Sequence, residues 1–515
     1  MAIRILRRRG TPWPIGRPLA ILLALTLLGG AAWWAVDRFT GPDSCGEKLV
    51  RMGPESECIG VTDGSDTFSD DLAEVSDRIA AENRQAQKRK PYATVAVMLP
   101  MTSPTSHGTA SIRHMVQGAY LAQYRANRLS GKKAPAIRLV LANPGRGGIQ
   151  WQHVAEQLRT MTDAPDNLRA VAGIGTSVRH TQAAVDWLTH EGIPVVGGSI
   201  TADDIANKNG NQAFPGLARV APTNEDEAAA LASYAEKTEK ADPADTLLVA
   251  DRRTGDNYID TLNRAFTSLL AGESRAPETF KSPDDVDSEG RTANDFAQMV
   301  PTICDAAPST IYFAGRPVQL RQFINELGQR GCTEKKFTVL TGDAANDMIA
   351  DPDLDWDALS GGITLRYAAL AHPDAWVSPD APKTGGSAAD SRAFADLAQK
   401  ARKAPVGPVG KVDLRDGDAM IAHDSVWTAV TAIRNTTSGE VEMPELADVS
   451  GNWPRLHSVK RVSGASGWIC LDNDGNPYDK AVPVVTLDPR PKGPRFTALA
   501  WPEGKPPART CTAPE

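Results

Sequence analysis

The sequence lacks the residue patterns that mark most enzymes and metal sites. None of its six cysteines stands in a Cys-x-x-Cys pair, which argues against zinc binding and thioredoxin-like redox chemistry. Residues 145–148 (GRGG) are not followed by the Gly-Lys-Ser/Thr of a nucleotide loop, and residues 464–467 (GASG) lack the spacing of a hydrolase nucleophile elbow. These absences predict a protein that is not an enzyme and holds no metal or cofactor.

Basic residues are outnumbered by acidic ones after the first 40 positions. The first 40 residues contain six arginines and one acid, whereas residues 41–515 contain 50 basic and 62 acidic residues. A surface with this excess of negative charge repels phosphate backbones. Nucleic acid is therefore excluded as an expected partner.

One long segment near the N-terminus has no charged residue at all. Residues 18–36 are 19 in number, and as a helix they would span roughly 28 Å, about one hydrocarbon thickness. Arginines precede the segment and Trp33 and Trp34 end it, as in a single-pass helix with a cytoplasmic basic tail at residues 1–17. Residues 30–32 (GAA) also resemble a cleavage site, so a removed signal peptide is the alternative. Either way we expect the bulk of the chain to lie outside the cytoplasm, and a retained helix would hold it at the cell membrane.

The cysteines all follow this segment. Six exported cysteines indicate disulfides, and although 15 pairings are possible in principle, neighbours in sequence are the expected partners. The expected pairs are Cys45 with Cys58, Cys304 with Cys332, and Cys470 with Cys511.

Short apolar runs alternate with helical patterns through most of the chain. The expected strands are residues 94–99, 137–141, 170–174, 194–197, 246–250, 310–314 and 337–340. Strands that alternate with helices form parallel sheets covered on both faces, and this number of strands favours two lobes over one sheet. Ligands of such sheets bind beyond the carboxyl ends of the strands, where the loops here are small or polar.

Several segments resemble the leucine/isoleucine/valine-binding branch of type I periplasmic binding proteins. They include TVAVMLPMTSP, VAGIGTSVRHTQAAVDWLTHEGIPVVGGSITADDI and GASGWICLDNDGNPYDKAVPVVTL, and the likeness extends over residues 92–489. The resemblance implies two doubly wound parallel-sheet lobes joined by three crossovers, here preceded by one N-terminal transmembrane helix. It implies crossovers near residues 219–222, 342–346 and 455–467.

This likeness sets the expected domain layout. Residues 37–90 are expected to form a membrane-proximal stalk and residues 490–515 a C-terminal tail. Lobe 1 is expected to comprise residues 91–220 and 344–455, and lobe 2 residues 221–343 and 456–489.

The resemblance also implies a ligand site between the lobes. Hydroxyls and backbone amides of two lobe-1 loops would hold a ligand carboxylate, and the matching positions are Ser177, Ser199 and Thr201. An acid of lobe 2 would meet the ligand amine, with Asp343 expected first and Asp251 second. Arg252 departs from the family pattern at its loop, and if it faces the cleft it would favour an acidic ligand.

The implied function is extracytoplasmic capture of a small polar ligand, an amino acid or similar molecule, for an ABC-type transporter. The alternative is a membrane-anchored sensing domain that reports ligand occupancy to a partner protein. Either function needs a membrane partner, a permease or a signalling protein.

Overall fold

The protein folds into two α/β lobes. The computed structural model describes residues 45–131, 133–272, 275–286, 288–437 and 442–513. Its strands, in chain order, are β1 Leu49–Met52, β2 Glu57–Thr62, β3 Tyr92–Met98, β4 Ala136–Asn143, β5 Leu168–Gly173, β6 Val195–Gly197, β7 Leu217–Arg219, β8 Thr246–Asp251, β9 Glu278–Phe280, β10 Thr310–Ala314, β11 Phe337–Thr341, β12 Ile363–Ala368, β13 Val462–Gly464, β14 Gly467–Ile469, β15 Val482–Pro489 and β16 Lys492–Ala500.

The helices lie mainly between successive strands. They are α1 Ala73–Gln87, α2 Ser106–Tyr124, α3 Trp151–Thr160, α4 Arg179–His190, α5 Asn224–Tyr234, α6 Asn257–Leu269, α7 Thr292–Ala306, α8 Pro317–Gly328, α9 Trp356–Ser360, α10 Ala388–Lys400, α11 Asp418–Thr436 and α12 Leu446–Ser450.

Each lobe is built on a seven-stranded sheet. Lobe 1 has the strand order β1-β2-β4-β3-β5-β6-β7, and lobe 2 has the order β16-β15-β12-β11-β10-β8-β9. The central strands of both sheets pair in parallel, whereas the β1–β2–β4 edge and the β12–β15–β16 edge are antiparallel. The predicted two-lobe, largely parallel α/β architecture is confirmed.

Both sheets are covered on both faces, as parallel sheets require. In β3, Val95 and Val97 belong to one apolar cluster and Ala96 and Met98 to another, on the opposite face. Lobe 2 likewise has a cluster on each side of its sheet. Alternating residues of one strand therefore serve two cores, which explains why these strands are almost continuously apolar.

The crossovers between the lobes differ in part from the predicted ones. The first lies between β7 and α5, as expected. However, β12 pairs with β11 and β15 in the lobe-2 sheet, so the second crossover follows Ala368 and not residues 342–346. The hairpin β13–β14 packs in the lobe-1 core with Leu471, so the third crossover lies between Leu471 and β15 and not at residues 455–467. The predicted lobe boundaries at residues 344 and 456 are thus wrong. The sequence of β12 fits an inner strand of either sheet, so it does not show to which lobe the strand belongs.

The expected stalk is instead part of lobe 1 over its described residues. Strand β2 pairs with β4, and α1 packs on the same strand. The side chain of Asn83 in α1 donates to the carbonyl of Leu139 (2.7 Å) and accepts from its amide (2.8 Å). The predicted tail is also wrong in part, since β16 pairs with β15 along its length. As a half-buried edge strand, β16 has few apolar residues to reveal it.

Three disulfides join the cysteines in the predicted pairs, Cys45–Cys58, Cys304–Cys332 and Cys470–Cys511. The predicted basic tail 1–17 and transmembrane helix 18–36 lie outside the described residues. Within the described part of the chain, no helix combines the length and the apolar character needed to cross a bilayer.

Candidate ligand-binding cleft

A cavity of about 710 Å³ lies between the two lobes. This volume falls in the range typical of small-molecule sites. Its lobe-1 wall combines apolar and hydroxyl side chains, which include Leu99, Ile112, Met115, Ile149, Thr102, Ser111, Thr176 and Ser199. The lobe-2 wall is mostly polar and includes Arg253, Thr254, Asp256, Asp284, Asp285 and Asp347.

The lobes touch directly beside this cavity. The carbonyl oxygen of Ser177 in lobe 1 accepts hydrogen bonds from the amide of Tyr258 (3.2 Å) and the guanidinium of Arg316 (3.1 Å) in lobe 2. On the surface, Arg264 of α6 pairs with Asp204 of lobe 1 at 3.1 Å. The arrangement is therefore a closed one, with the lobes in contact around the cavity.

Ser199 is the one predicted site residue that lines the cavity. It is half-buried, and its hydroxyl donates to the carbonyl of Gly175 at 3.2 Å. The hydroxyl oxygen keeps its lone pairs for a further donor, and the side chain stands at the carboxyl end of β6.

Ser177 has a different environment. Its side chain is buried, and its Oγ accepts hydrogen bonds from the amides of Thr201 and Ala202, both at 3.1 Å. The Ser177 hydroxyl therefore joins the loop after β5 to the loop after β6 and does not line the cavity.

Thr201 and Asp343 meet each other across the lobes. Thr201 is 1% exposed, and its hydroxyl donates to Oδ1 of Asp343 at 3.3 Å. The Asp343 amide donates to Glu227 at 3.1 Å, and Glu227 is fully buried. Neither Thr201 nor Asp343 lines the cavity, so the predicted hydroxyl and acid form a lobe-to-lobe contact.

Burial raises the pKa of Asp343 to about 7, with Asp347 adding to the rise while Arg316 and Thr201 oppose it. Burial and the neighbouring Asp343 likewise hold the pKa of Glu227 well above its ordinary value. Two acids in one buried site resist ionising together. The contact between the lobes is therefore sensitive to protonation.

Asp251 does not line the cavity. It is 1% exposed, and its Oδ1 accepts from the amides of Arg253 (2.9 Å) and Ser282 (3.0 Å). The carboxylate therefore stabilises its own turn and joins the loops that follow β8 and β9. Arg252 is exposed and does not line the cavity, whereas Arg253 lines it and pairs with Asp256.

Arg179 also lines the cavity, and it was not among the site residues predicted from the sequence. It is the first residue of α4, it is exposed, and it has no hydrogen-bond or ion-pair partner among the described residues. Its guanidinium packs against Gly255 of lobe 2, where a Cβ would lie 2.7 Å from Nη2. A cation in the first turn of a helix interacts unfavourably with the positive end of the helix dipole. An arginine at a predicted helix start is therefore the feature of the sequence that could have indicated this residue.

A different wall of the cavity carries acids. Asp347 lines the cavity together with Ser111 of α2. Asp418 lies beside them, and burial followed by the charges of Asp416 and Asp347 raises its pKa well above the ordinary value. The cavity thus offers a cation on one wall, an acid on another and apolar side chains between, which suits a small molecule with both charged and apolar parts. Over the described ranges, no group of three or more histidine, cysteine or acidic side chains could hold a metal ion.

Comparison with known proteins decides the family. A family model described as periplasmic binding protein matches residues 93–405, more than half of the chain. The chain belongs to this periplasmic binding protein family. The predicted family is thereby confirmed, and the members of this family are solute-binding proteins. No curated protein matches the chain by sequence.

Solved structures of other periplasmic binding proteins share the fold. A leucine binding protein from Thermotoga maritima has a TM-score of 0.55 at 18% identity, over 80% of this chain and 99% of its own. A branched-chain amino acid transporter substrate binding protein from Streptococcus pneumoniae, in complex with isoleucine, has a TM-score of 0.57 at 16% identity, over 80% and 99%. A solute binding protein from Rhodopseudomonas palustris, in complex with p-hydroxybenzoic acid, has a TM-score of 0.56 at 15% identity, over 79% and 96%. At these identities the likeness concerns the fold alone.

The role of the Ser177 hydroxyl can be tested by Ser177→Ala. The change leaves two buried amides of this periplasmic binding protein without an acceptor, and we expect a loss of about 1–3 kcal/mol in the free energy of unfolding. Ser199→Ala is the matched control, since it removes one bond at a half-buried position. Denaturant titration measures both variants, and equal losses would contradict the assignment.

The protonation of Asp343 predicts a pH dependence. Its folded pKa of about 7 lies above the ordinary 3.8, so the folded state keeps the proton where the unfolded state has released it. Stability from this group is therefore fully present below about pH 4 and is lost as the pH rises to about 7. Asp343→Asn cannot titrate, and we expect its midpoint of thermal unfolding to fall less than that of the wild type between about pH 5 and pH 8. Asp380→Asn, at an exposed acid outside the cavity lining, serves as the control, and a wild-type slope in Asp343→Asn would refute the assignment.

Proposed function

We propose that this chain is an extracytoplasmic solute-binding protein that captures a small amino acid-like carboxylate between its lobes and presents it to an ABC-type permease. The observation that carries the proposal is the placement of Arg179 at the start of α4, on the wall of the cleft and without a protein partner among the described residues.

A ligand carboxylate has two sources of attraction at Arg179. The guanidinium offers a bidentate hydrogen-bonded pair. The first turn of α4 adds backbone amides that no side-chain cap among the described residues occupies, since its N-cap, Val178, supplies none. A carboxylate here would also relieve the unfavourable position of a cation at a helix N-terminus.

The remaining cleft walls suit the rest of an amino acid-like molecule. Leu99, Ile112 and Met115 offer apolar contact for a side chain. Asp347 offers a negative charge for an ammonium group. This residue takes the role predicted for Asp343 and Asp251, which lie outside the cavity lining.

The predicted hydroxyl residues keep roles in this proposal. Ser199 would contact the ligand directly, because it lines the cavity. Ser177 and Thr201 would act by holding the loops and the lobes in position. Asp343 would contribute to closure through its contact with Thr201.

The ligands of structural relatives are consistent with a carboxylate. Isoleucine and p-hydroxybenzoic acid differ in size and polarity, yet each is a carboxylic acid. The shared group is the one that Arg179 and the α4 amides would bind.

The proposal is tested by ligand screening and one substitution. Branched-chain amino acids, 4-hydroxybenzoate and dicarboxylates are added to purified protein, and a true ligand at 100 times its Kd should stabilise the fold by about 2.7 kcal/mol. Calorimetric titration of that ligand into Arg179→Gln should give an affinity about ten- to a hundredfold weaker, because a hydrogen bond to a charged group is lost.

Arg159→Gln provides the control for that titration. Arg159 is an exposed arginine on the neighbouring helix α3, paired with Glu156 at 3.0 Å. Its substitution should leave affinity unchanged. Unaltered binding in Arg179→Gln, or a preference for ligands without a carboxylate, would overturn the proposal.

The proposed location rests on the uncharged segment 18–36 and on the three disulfides, which persist in oxidising compartments. We expect full-length protein in the membrane fraction, with residues 45–513 accessible to protease from the outer side. A mature N-terminus close to Trp33 in a soluble periplasmic fraction would instead show a removed signal peptide.

A further inference from the structure

The hairpin β1–β2 forms part of the cleft wall. Its turn and the first residue of β2 contribute Gly53, Pro54, Glu55 and Glu57 to the cavity lining. The hairpin precedes the segment 93–405 that matches the family model. This chain therefore adds a wall to the cleft from residues outside the matched region.

Several bonds hold the hairpin in place on lobe 1. The disulfide Cys45–Cys58 closes it, and the side chain of Asn143 in β4 donates to the carbonyl of Cys58 at 2.7 Å. Near the turn, Glu57 accepts from the amide of Arg146 at 2.9 Å and from the hydroxyl of Thr102. The turn is thus fixed to two loops that themselves line the cavity.

Arg146 extends this arrangement to lobe 2. One guanidinium nitrogen, Nη1, lies 2.7 Å from Glu55 of the hairpin, and Nη2 lies 3.1 Å from Asp285, in the lobe-2 loop after β9. Arg146, Glu55 and Asp285 all line the cavity. One arginine therefore contacts the hairpin, lobe 1 and lobe 2 at the mouth of the cleft.

We propose that Glu55, Arg146 and Asp285 form a clasp that holds the lobes closed, with the hairpin β1–β2 as its fixed end. The acids on both sides orient the guanidinium, so that it is already aimed at lobe 2 when the lobes approach. In the proposed function, on which this use of the clasp rests, it would slow the release of a captured ligand.

The structure supplies a readout of closure that needs no ligand. The amide of Tyr258 in lobe 2 donates to the carbonyl of Ser177 in lobe 1. This hydrogen bond must break when the lobes separate, so exchange of the Tyr258 amide with deuterium follows the open population. The experiment is therefore independent of which solute the protein binds.

Hydrogen exchange of the ligand-free, full-length protein tests the clasp in Arg146→Ala and Asp285→Ala. Because a partly exposed ion pair contributes little free energy, we expect each change to speed exchange of the Tyr258 amide only roughly two- to fivefold. The double variant should be no faster than the faster single one, because both changes break the same contact. Glu55→Ala should shift the rate in the same direction by less.

Arg159→Ala is the matched control, as it removes an arginine paired within α3 of lobe 1, and it should leave the Tyr258 rate unchanged. Unaltered exchange in Asp285→Ala and Arg146→Ala would overturn the clasp. Effects that simply multiply in the double variant would also overturn it, because they would show that the two residues act separately. Neither result would bear on whether the cleft binds a carboxylate.

Discussion

The hydrogen bonds of one residue, Ser177, join two loops of lobe 1 to each other and join lobe 1 to lobe 2. Its hydroxyl oxygen accepts from two amides of the neighbouring lobe-1 loop, and its carbonyl accepts from Tyr258 and Arg316 of lobe 2. A loop between a strand and a helix has backbone groups that must be satisfied locally or by a partner. Here the partners of one such carbonyl belong to the other lobe, so this loop contributes directly to the relative position of the two lobes.

Buried charges supply the second part of this contact. Asp256 accepts hydrogen bonds from Arg316 at 2.7 and 3.0 Å and pairs with Arg253 as well. Burial alone would raise the pKa of Asp256, but the two arginines hold it below its ordinary value. Arg316 also lies over the ring of Tyr258, with 4.7 Å between the guanidinium carbon and the ring centroid. A buried acid and its arginines thus orient the lobe-2 groups that donate hydrogen bonds to the carbonyl of Ser177.

Two consequences follow for the cleft. Arg146 is engaged in ion pairs with Glu55 and Asp285, and Arg253 and Arg316 with Asp256, which leaves Arg179 as the cavity arginine without a protein partner among the described residues. Among the acids, Asp256 is paired with arginines, and Asp347 is a second acid that lines the cavity. The cation and the acid proposed to meet a ligand, Arg179 and Asp347, are therefore different residues from those that pair around Asp256.

Much of the architecture could be predicted from the sequence, and the reasons are local. The run 94–99 overlaps β3, and the predicted strand 310–314 coincides with β10, because an inner strand of a doubly covered sheet is apolar on both faces. The sheet to which β12 belongs could not be predicted, since a short strand of this sequence fits an inner position in the sheet of either lobe. The hairpin β1–β2 was missed because its short strands contain glycine, cysteine and charged residues that read as a linker.

The candidate site was harder to predict than the fold. The loops that follow β5 and β6 were identified correctly as bordering the cleft, because parallel strands end at the same edge of a sheet. The direction of each side chain is decided by hydrogen bonds to distant loops, as for the hydroxyl of Ser177 and the carboxylate of Asp251. For Arg179, the position at a helix start was a signal in the sequence, but its lack of a partner among the described residues is seen only in three dimensions.

The most direct test of this account is a crystal structure of the protein with its bound solute, identified by mass spectrometry of the same preparation. The account predicts a solute between the lobes, with a carboxylate within hydrogen-bond distance of Arg179 and the amides at the start of α4, and with Ser199 in contact. A solute bound outside the cleft, or one held in it with no acidic group near Arg179, would contradict the central claim.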